Sequence, residues 1–449
     1  MLMVINDTIA AISSGNINQA ISIIRISGPD AINIIKKIYT GKIGSDKTIT
    51  YGNIIDNRTN KVVDEVLINF FIGNKNYTGE DTVEINAHGG VIVTNKILNL
   101  ILANGARLAQ RGEFTRRAFL NGKISLDKAE AINNLIHAKT NKQAEIAITQ
   151  FNEYDKGIIE SLENELTNII SIVEINIDYS DYNDIEQMDH NKLLKLVTNF
   201  KSKLDVILTK SENANDVYRG IDVAIVGNPN AGKSSLLNAL LGKDKAIVTN
   251  IPGTTRDLVE GEYIINGILF RLIDTAGIRE TKDEVESIGI EKSKEAINQA
   301  KIVVHLFSPD NEINQEDKII EELSKNKQYI PVMNKVDLLS SEKEYPKDKV
   351  CISAKNQYLW ELKNALVKKY LSIDLDDPEI LYNTRKLGLL KQASLNLQEV
   401  INGLNNGFGP EVVILDLTKV WQNIREILNK ENDNEALLDN MFSKFCLGK

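Results

Sequence analysis

The stretch that most constrains the fold is Gly227-Asn-Pro-Asn-Ala-Gly-Lys-Ser234. It follows the apolar run 223–226 and precedes the helix-like segment 235–241, so the predicted order is strand, glycine loop, helix. Such a turn directs backbone N–H groups and a helix N-terminus at phosphate oxygens. Lys233 adds positive charge there, and the Ser234 hydroxyl can ligate magnesium. The pattern therefore predicts an α/β domain that binds the phosphates of a nucleotide.

The base of that nucleotide is predicted by Asn334-Lys-Val-Asp337, which follows the apolar segment 329–333. The Asp337 carboxylate can accept hydrogen bonds from the ring N–H and the exocyclic amine of guanine. Adenine has an acceptor where guanine has the ring donor, so it would leave a buried carboxylate unpaired at a high cost in free energy. The motif therefore predicts guanine.

Two further motifs complete a series. Asp274-Thr-Ala-Gly277 ends the strand-like segment 268–273, where it can meet the magnesium shell and the γ-phosphate, and Ser353-Ala-Lys355 follows the segment 350–352. The four motifs have the order and spacing of a small GTPase. The Asn-Gly pair within 263–270 predicts a tight antiparallel hairpin. The strands predicted over 302–307, 329–333 and 349–352 alternate with helices, which predicts a parallel, helix-covered sheet.

Length and charge limit the class of protein further. A chain of 449 residues predicts two to four domains, and no apolar run is long enough to cross a bilayer. Residues 1–7 lack the basic region of a signal peptide, which predicts a cytoplasmic protein with no membrane contact. The net charge of −9 argues against a broad basic surface, so RNA contact would need a local patch or a partner. The two cysteines lack zinc-site spacing.

The first 120 residues have the pattern of an α+β domain. Strands are predicted over 7–12, 20–26 and 65–71, and an amphipathic helix is predicted to follow His88-Gly-Gly90 and run through residue 102. Gly41-Lys-Ile-Gly44 matches the GxxG of an RNA-binding KH module, but the helices and basic character of that module are missing. We therefore interpret residues 41–44 as a loop.

Two separate stretches, 121–216 and 374–449, have apolar residues spaced three and four apart, as in helices. The acidic segment 178–186 between helices is most simply a solvated connection, with a metal site as the alternative, and 211–216 is predicted to be a linker. Neither stretch can bury its apolar faces alone. We therefore predict four segments: an N-terminal domain over 1–120, one discontinuous helical domain over 121–216 and 374–449, and an inserted GTPase domain over 217–373.

The hydrolytic water needs a polar group that differs from the one in Ras-like switches. Those switches carry a glutamine directly after Asp-Thr-Ala-Gly, whereas Ile278 occupies the position here. The downstream candidates are Arg279, Asp283, Glu284 and Glu286, each of which could instead belong to a solvated loop. The loop 244–255 has no arginine to neutralise transition-state charge. A monovalent cation held by loop carbonyls and Asn230 could serve in its place.

Several longer strings carry a resemblance that reaches beyond the nucleotide motifs: Ile24-Arg-Ile-Ser-Gly28, Tyr77-Thr-Gly-Glu-Asp81, His88-Gly-Gly90, the segments 112–120, 253–257 and 283–289, and Cys446-Leu-Gly-Lys449. With these strings the chain resembles the MnmE (TrmE) family of tRNA modification GTPases over essentially all its length. The resemblance implies a folate-binding N-terminal domain that forms a homodimer. It also implies a heterotetramer with the flavoprotein MnmG (GidA), which adds an aminomethyl-type group to position 5 of the wobble uridine of certain tRNAs.

The resemblance also implies roles for individual residues. A 5-formyl- or methylene-tetrahydrofolate would contact Arg25, Glu84, Lys123 and Lys449. Potassium would be surrounded by Asn230, Thr249, Ile251 and Thr254, and magnesium by Ser234 and Thr255. Glu286 would position the attacking water. Motifs and resemblance together predict this GTP-binding set: Asn230, Ala231, Gly232, Lys233, Ser234, Ser235, Thr249, Asn250, Ile251, Pro252, Gly253, Thr254, Thr255, Asp274, Thr275, Ala276, Gly277, Asn334, Lys335, Asp337, Ser353, Ala354 and Lys355.

The carboxyl end of the chain allows two interpretations of Cys446. The apolar segment 441–445 predicts that the tail packs, and Cys446 is then either a small buried hydrophobe or a catalytic thiol near folate and uridine. The family's proline and glycine-rich turn appears here as residues 13–18 with one glycine.

The alternative function is a regulatory or ribosome-assembly GTPase acting as a binding switch. Such proteins usually append a basic RNA-binding module, whereas this chain ends in acidic helix.

Overall fold

The computed structural model describes residues 7–151, 156–178, 190–242, 259–273, 286–310, 313–339, 346–428 and 448. The chain divides into two compact units. The first comprises residues 1–137, 150–153 and 429–449, and the second comprises 138–149 and 154–428. Among the helices of the described residues, none combines the length and the apolar character that crossing a membrane requires.

The first unit is built on a six-stranded sheet in the order β3-β4-β5-β2-β1-β6. Its strands are β1 Ile9–Ile12, β2 Ile21–Ser27, β3 Thr48–Asp56, β4 Lys61–Phe71, β5 Thr82–His88 and β6 Arg107–Leu108. Its helices are α1 Ala31–Ile38, α2 Val91–Ala103, α3 Glu113–Leu120 and α4 Leu126–Ile136. Alternate strand residues such as Ile24 and Ile26 are buried with the apolar faces of α1 and α2. The predicted α+β class is confirmed, and residues 41–44 form a loop, as predicted.

The second unit contains a helical core assembled from two distant stretches of chain. Its helices are α5 Asn141–Gln150, α6 Lys156–Asp178, α7 His190–Arg219, α12 Thr384–Asn405 and α13 Pro410–Ile427. Leu166 and Phe200 from the early stretch share one hydrophobic core with Leu397 and Leu417 from the late stretch. The predicted discontinuous helical domain is therefore confirmed. Of the acidic segment 178–186, only Asp178 lies within the described residues.

The predicted linker over 211–216 is wrong, because α7 continues through it to Arg219. Ser211 and Asn215 are buried. The Ser211 hydroxyl accepts a hydrogen bond from the Leu381 backbone N–H at 3.0 Å, and the Asn215 amide donates to the Leu381 carbonyl at 2.6 Å. These polar side chains form hydrogen bonds with the backbone of a segment that is distant in sequence. This explains why polar residues lie on the buried face of α7.

The second unit also contains a six-stranded sheet in the order β12-β11-β10-β7-β9-β8. Its strands are β7 Ile221–Gly227, β8 Val259–Ile265, β9 Ile268–Ile273, β10 Ile302–Phe307, β11 Gln328–Met333 and β12 Val350–Cys351. Its helices are α8 Lys233–Leu241, α9 Glu286–Gln299, α10 Gln315–Leu323 and α11 Trp360–Val367, with a short 3-10 helix at Val336–Leu338.

The pairing in this sheet matches the prediction. Strands β8 and β9 are antiparallel, and each of the other neighbouring pairs is parallel. Asn266 and Gly267 both have positive φ at the turn of the β8–β9 hairpin, as a tight turn of this kind requires. The carboxyl ends of the parallel strands therefore meet at one edge, where an open α/β sheet binds its ligands.

Helix α7 contributes to both hydrophobic cores of the second unit. Leu204 packs in the helical core, whereas Val217 packs with Ile221 and other strand residues in the core of the sheet. Gly220 alone separates the end of α7 from the start of β7. Its φ of +95° lies in the left-handed region, and a Cβ there would lie 3.0 Å from a Leu269 methyl carbon. The junction is therefore short and tightly packed.

Candidate functional site

The glycine loop between β7 and α8 has the backbone that a phosphate-binding turn needs. Gly227 has a φ of +143°, and a Cβ there would collide with the Leu306 carbonyl oxygen. Gly232 has a φ of +97° directly before the first residue of α8, and a Cβ there would collide with the Asn334 amide nitrogen. Both glycines are thus required by their positive φ and by a close neighbour, and the loop leads directly into the N-terminus of a helix, where backbone N–H groups can bind phosphate.

Lys233 is held across this loop by the backbone. Its ammonium donates to the carbonyl oxygens of Gly227 at 2.7 Å and Asn228 at 3.0 Å. Burial lowers the pKa of Lys233, although the negative charge of Glu316 opposes that fall. The side chains of Asn230, Ser234 and Ser235 are exposed around it. A partly desolvated cation therefore lies at the helix N-terminus, where it is suited to bind phosphate.

Asn334 connects three of the predicted motifs. It is buried, its amide nitrogen donates to the Ala231 carbonyl at 2.9 Å, and its side-chain oxygen accepts from the Ala354 backbone N–H at 3.1 Å. The phosphate loop, the Asn-Lys-Val-Asp motif and the Ser-Ala-Lys motif are therefore fixed to one another by a single side chain.

Asp337 is oriented by the third of these motifs. The Ser353 hydroxyl donates to its Oδ1 at 2.6 Å, and Ser353 itself accepts from the Asn356 backbone N–H at 3.2 Å. Lys335 adopts a φ of +61°, which turns the chain between Asn334 and Asp337, and Lys355 follows Ala354 with an exposed side chain. A carboxylate with a fixed orientation is what the recognition of two adjacent guanine donors requires.

Part of the predicted site lies outside the described residues. This applies to Thr249, Asn250, Ile251, Pro252, Gly253, Thr254 and Thr255, to Asp274, Thr275, Ala276 and Gly277, and to Cys446 and Lys449. Glu286 is the first residue of α9. Its predicted role with the attacking water stays a prediction.

A second group of predicted residues lies on the sheet of the first unit. Arg25 on β2 and Glu84 on β5 are direct cross-strand neighbours, with Arg25 Nε 2.8 Å from Glu84 Oε1. The Arg25 guanidinium lies 5.5 Å from the ring centroid of Phe114. Its Nη1 donates to the Gly448 carbonyl at 3.1 Å, and the Ser13 hydroxyl donates to the same oxygen at 2.9 Å. The penultimate residue of the chain is therefore bound beside the Arg25–Glu84 pair.

Lys123 lies beside a different loop. A Cβ added at Gly79, which has a φ of +75°, would lie 2.6 Å from the Lys123 side chain. Tyr77 on the same loop shares a hydrogen bond with Thr115 at 2.9 Å. Burial raises the pKa of the Tyr77 phenol, although the positive charge of Arg25 opposes that rise. Tyr77 therefore connects the loop beside Lys123 to the surroundings of Arg25.

Sequence reasoning missed the contacts that Ser13, Phe114 and Gly448 make with this group. Phe114 and Gly448 stand in the strings that carry the family resemblance, so the strings contained the signal. Ser13 begins the segment in which the sequence departs from the family pattern, and it nevertheless donates to the tail.

The strand order, the glycine loop and the fixed Asp337 together define a P-loop guanine-nucleotide-binding protein with a Ras-like sheet. A family model described as "GTP-binding protein TrmE N-terminus" matches residues 8–123, and one described as "MnmE helical domain" matches 126–446. The chain is 51% identical over 444 residues to the tRNA modification GTPase MnmE of Mycoplasmopsis pulmonis, covering 99% of this chain and 100% of that protein. It is 39% identical over 459 residues to that of Bacillus pumilus, with the same coverage. The chain belongs to the MnmE (TrmE) family of tRNA modification GTPases, and it hydrolyses GTP in tRNA modification.

Solved structures match a smaller part of the chain. Era of Aquifex aeolicus bound to GDP·AlF4⁻ is 29% identical, covers 39% of this chain and 66% of its own, and has a TM-score of 0.26. The G domain of the T. maritima FeoB iron transporter is 24% identical over 33% of this chain and 97% of its own, with a TM-score of 0.25. Scores this low carry no argument, so the Ras-like topology rests on the strand order given above.

Proposed function

We propose that the chain couples GTP hydrolysis to the addition of an aminomethyl-type group at position 5 of the wobble uridine of certain tRNAs, together with the flavoprotein MnmG (GidA), and uses a one-carbon folate bound by its first unit. The main support is the contact of Gly448 with Ser13 and Arg25. Lys449 is bonded to that glycine, and Cys446 precedes it by two residues. Gly448 is thus in contact with Arg25, one of the predicted folate residues.

The chemistry of the Arg25–Glu84 pair fits a folate. A pterin ring presents a ring N–H beside an exocyclic amine, the same donor pair that guanine offers to a carboxylate. Glu84 supplies such a carboxylate, Arg25 holds it in one orientation, and the Phe114 ring provides an apolar neighbour. The folate, 5-formyl or methylene, would supply the one-carbon unit. Lys123 and Lys449 would add positive charge for its carboxylates.

Removal of the tail tests this proposal. Deletion of residues 446–449 should abolish wobble-uridine modification and leave GTP turnover unchanged, since Gly448 contacts Ser13 and Arg25 of the first unit. The substitution Cys446→Ser removes the thiol alone and so tests its role apart from that of the other three residues. The two variants are compared by phosphate release and by mass spectrometry of tRNA nucleosides. Intact modification in the deletion variant would refute a role for the tail. Loss of GTP turnover as well would show that its role is structural.

The guanine preference has its own test. Asp337→Asn should weaken GTP binding by about 1.5–3 kcal/mol for each charge-assisted hydrogen bond lost. The same variant should prefer xanthosine triphosphate, whose added carbonyl suits an amide donor. Ser353→Ala is the matched control, because it removes the group that orients Asp337 and leaves the carboxylate in place. Unchanged GTP affinity of Asp337→Asn in an equilibrium titration contradicts the assignment.

Two metals are proposed at the phosphates. Magnesium would be held by Ser234 and Thr255, and potassium by Asn230, Thr249, Ile251 and Thr254. The fit is supported by the exposed Ser234 hydroxyl at the N-terminus of α8 and by Asn230, which adopts a φ of +64° within the loop. Potassium would neutralise charge that an arginine finger neutralises elsewhere, a contribution of about 10³–10⁵ in rate. Equal turnover in sodium and potassium chloride at matched ionic strength would exclude it.

Glu286→Ala is expected to lower turnover and to leave nucleotide affinity almost unchanged, because a group that acts on the attacking water contributes only in the transition state. Glu284→Ala is compared with it, because Glu284 is another candidate for the attacking water and removal of the same charge two residues earlier tells the two candidates apart. Phosphate release and nucleotide titration are measured for both. Normal hydrolysis by Glu286→Ala removes Glu286 from the mechanism.

The first unit is proposed to form the homodimer on which a heterotetramer with MnmG would be built. Strand β3 lies at one edge of its sheet. Ile49 and Tyr51 on β3 and Leu67 on β4 lie close together and are 66%, 65% and 48% exposed, an apolar face of the kind that protein interfaces cover. Sedimentation of Tyr51→Lys should give a monomer. A dimer at the same concentration would place the interface elsewhere.

One experiment decides between modification and the alternative of a binding switch. Wobble uridines are analysed by mass spectrometry in tRNA from a strain that lacks this chain. Loss of the position-5 group supports the proposed function. Unchanged nucleosides would favour a regulatory or ribosome-assembly role for the same GTPase.

A further inference from the structure

A buried polar network lies behind the phosphate loop. At its centre is His305 on β10, which has no solvent exposure. Its Nε2 lies 2.9 Å from Asp317 Oδ1, and its Nδ1 lies 2.8 Å from the Tyr329 hydroxyl on β11. Asp317 is 2% exposed and belongs to the first turn of α10. Ionisable side chains buried to this degree need a complete set of partners.

The other oxygen of Asp317 faces the phosphate loop. Asn228, the second residue of that loop, donates its side-chain amide to Asp317 Oδ2 at 3.1 Å. The Asn314 backbone N–H donates to the same oxygen at 2.9 Å, and the Asn314 amide donates to Asn228 Oδ1 at 3.0 Å. Both ends of the Asn228 amide are therefore fixed by the start of α10.

The backbone of Asn228 in turn fixes the functional lysine. Its carbonyl accepts from the Ala231 backbone N–H at 3.2 Å and from the Lys233 ammonium at 3.0 Å. We propose that Asp317 is a positioning residue for GTP binding, which acts through Asn228 to set the phosphate loop and Lys233, while His305 orients Asp317.

The protonation states follow from the surroundings. Burial lowers the pKa of His305. The hydrogen bond and charge of Asp317 and the charge of Glu321 oppose that fall, whereas the charge of Lys349 adds to it. A neutral imidazole with its proton on Nε2 donates to Asp317, and its Nδ1 then accepts from the Tyr329 hydroxyl. Asp317 accepts hydrogen bonds from N–H donors at the N-terminus of α10, where a negative charge is favoured.

The network contains more than a helix cap requires. Asn314 and Asp317 already form a capping box for α10, in which the Asn314 side chain accepts from the Asp317 N–H at 3.0 Å. His305 and Tyr329 come from two strands of the sheet and add donors that no cap needs. Asn228 adds the link to the loop. The carboxylate is therefore arranged to hold the loop in addition to ending the helix.

A double-mutant cycle on GTP affinity tests this coupling. The variants are Asn228→Ala, Asp317→Asn and the double variant, each titrated with GTP by calorimetry in the full chain. Loss of one buried partner should weaken binding about tenfold in each single variant. Because both changes break one connection, the double variant should also lose about tenfold. Independent effects would multiply to about a hundredfold and overturn the proposal.

Asn383→Ala is the matched control for a lost helix cap. Asn383 caps α12 in the helical core by accepting from the backbone N–H groups of Arg385 and Lys386. It should lower the melting temperature and leave GTP affinity unchanged. If Asp317→Asn behaves in the same way, its role is structural and the proposal fails. Should Asp317→Asn not fold, His305→Phe, which removes the donor toward Asp317, takes its place in the cycle with the same two outcomes.

Discussion

Each of the two units buries an ionisable side chain, and the partners of that side chain differ in kind between the units. In the first unit Arg117 is 1% exposed and is surrounded by three carboxylates: Asp7 at 2.7 Å, Glu113 at 3.1 Å and Glu80 at 3.2 Å. In the second unit Asp317 is equally buried, but its partners are a neutral imidazole, an amide and a backbone N–H. Opposite charge balances the first group, whereas dipoles balance the second.

The difference sets how each group responds to damage. Removal of Arg117 takes the cation from Glu80 and leaves Asp7 and Glu113 with Arg107 alone, and uncompensated buried charge is among the costliest defects in a protein. Removal of one donor from Asp317 leaves other N–H groups and a helix N-terminus in place. The first unit should therefore be fragile to the loss of one residue, and the second should lose stability in smaller steps.

The largest effect is expected from Arg117→Met. It should lower the free energy of unfolding of the first unit by about 3–5 kcal/mol. Hydrogen exchange at β2 and β5 in the full chain, read by mass spectrometry, checks this. Arg58→Met is the control, because Arg58 is largely exposed on the β3–β4 turn and its exchange pattern should stay almost unchanged. Equal protection of both variants would show that the cluster is not needed for stability.

A smaller effect is expected from His305→Phe. The substitution keeps an aromatic ring but removes both ring nitrogens, so Asp317 and Tyr329 each lose a partner. The second unit should lose about 1–3 kcal/mol, the usual cost of an unsatisfied buried polar group. Urea unfolding followed by exchange at β10 measures the change. A loss as large as that of Arg117→Met would remove the contrast between the two units.

Tyr329→Phe should have a still smaller effect. It removes one hydroxyl at the far end of the network and leaves the contact of His305 with Asp317 intact. The expected loss of about 0.5–1.5 kcal/mol is that of a single hydrogen bond. Its effect should be included in that of His305→Phe, so the double variant should be no less stable than His305→Phe. Additive losses would show that the tyrosine stabilises the sheet independently.

Mild acid should have the smallest effect, with opposite signs in the two units. Burial holds the pKa of His305 below its ordinary value of 6.5, so unfolding takes up a proton and stability falls as the pH drops below about 6.5. Asp64 raises the pKa of His88 in the first unit, so that pair gains stability over the same change. Hydrogen exchange at pH 7.5 and 5.5, corrected for intrinsic rates, compares β10 with β5. Parallel changes in both strands would contradict the assignment.

Glu113 in the first unit responds only at lower pH. Burial would raise the pKa of Glu113, but hydrogen bonds from Arg107, the Gln110 backbone and Arg117 outweigh it and lower that pKa below 4.5. A lowered carboxyl pKa contributes stability that is lost as the pH falls through the folded value. The contribution of Glu113 should therefore persist at pH 5.5.

Local patterns predicted the parts of the fold that local physics decides. The glycine loop, the Asn266-Gly267 hairpin and the strand and helix segments follow from turn chemistry and apolar spacing, and the structure contains them. The discontinuous helical domain was predictable because neither stretch could cover its own apolar face. Segment 211–216 was not, since the partner that satisfies Ser211 and Asn215 is Leu381, far along the chain.

The residues of the candidate sites were likewise predictable only where a short local motif contains them. Motifs predicted Asn334, Asp337 and Lys233, because each has a fixed offset within a short string. Local sequence marks Asp317 only as part of a helix cap, because its partners Asn228 and His305 come from other elements and are brought together by the parallel sheet. Contacts that cross long sequence separations, like that of Gly448 with Ser13, leave no periodic signal in one sequence.

Helix α7 connects the two hydrophobic cores of the second unit over a long distance. Its 30 residues at ~1.5 Å each make a rod of about 45 Å, anchored in the helical core and in the sheet core, with Gly220 as the single residue between the rod and β7. If α7 and the sheet rotated together by one degree about that glycine, the far end of such a rod would be displaced by roughly 0.8 Å. Because β7 continues directly into the phosphate loop, a small angular change beside the nucleotide would then become a displacement of atomic size at the opposite end of α7.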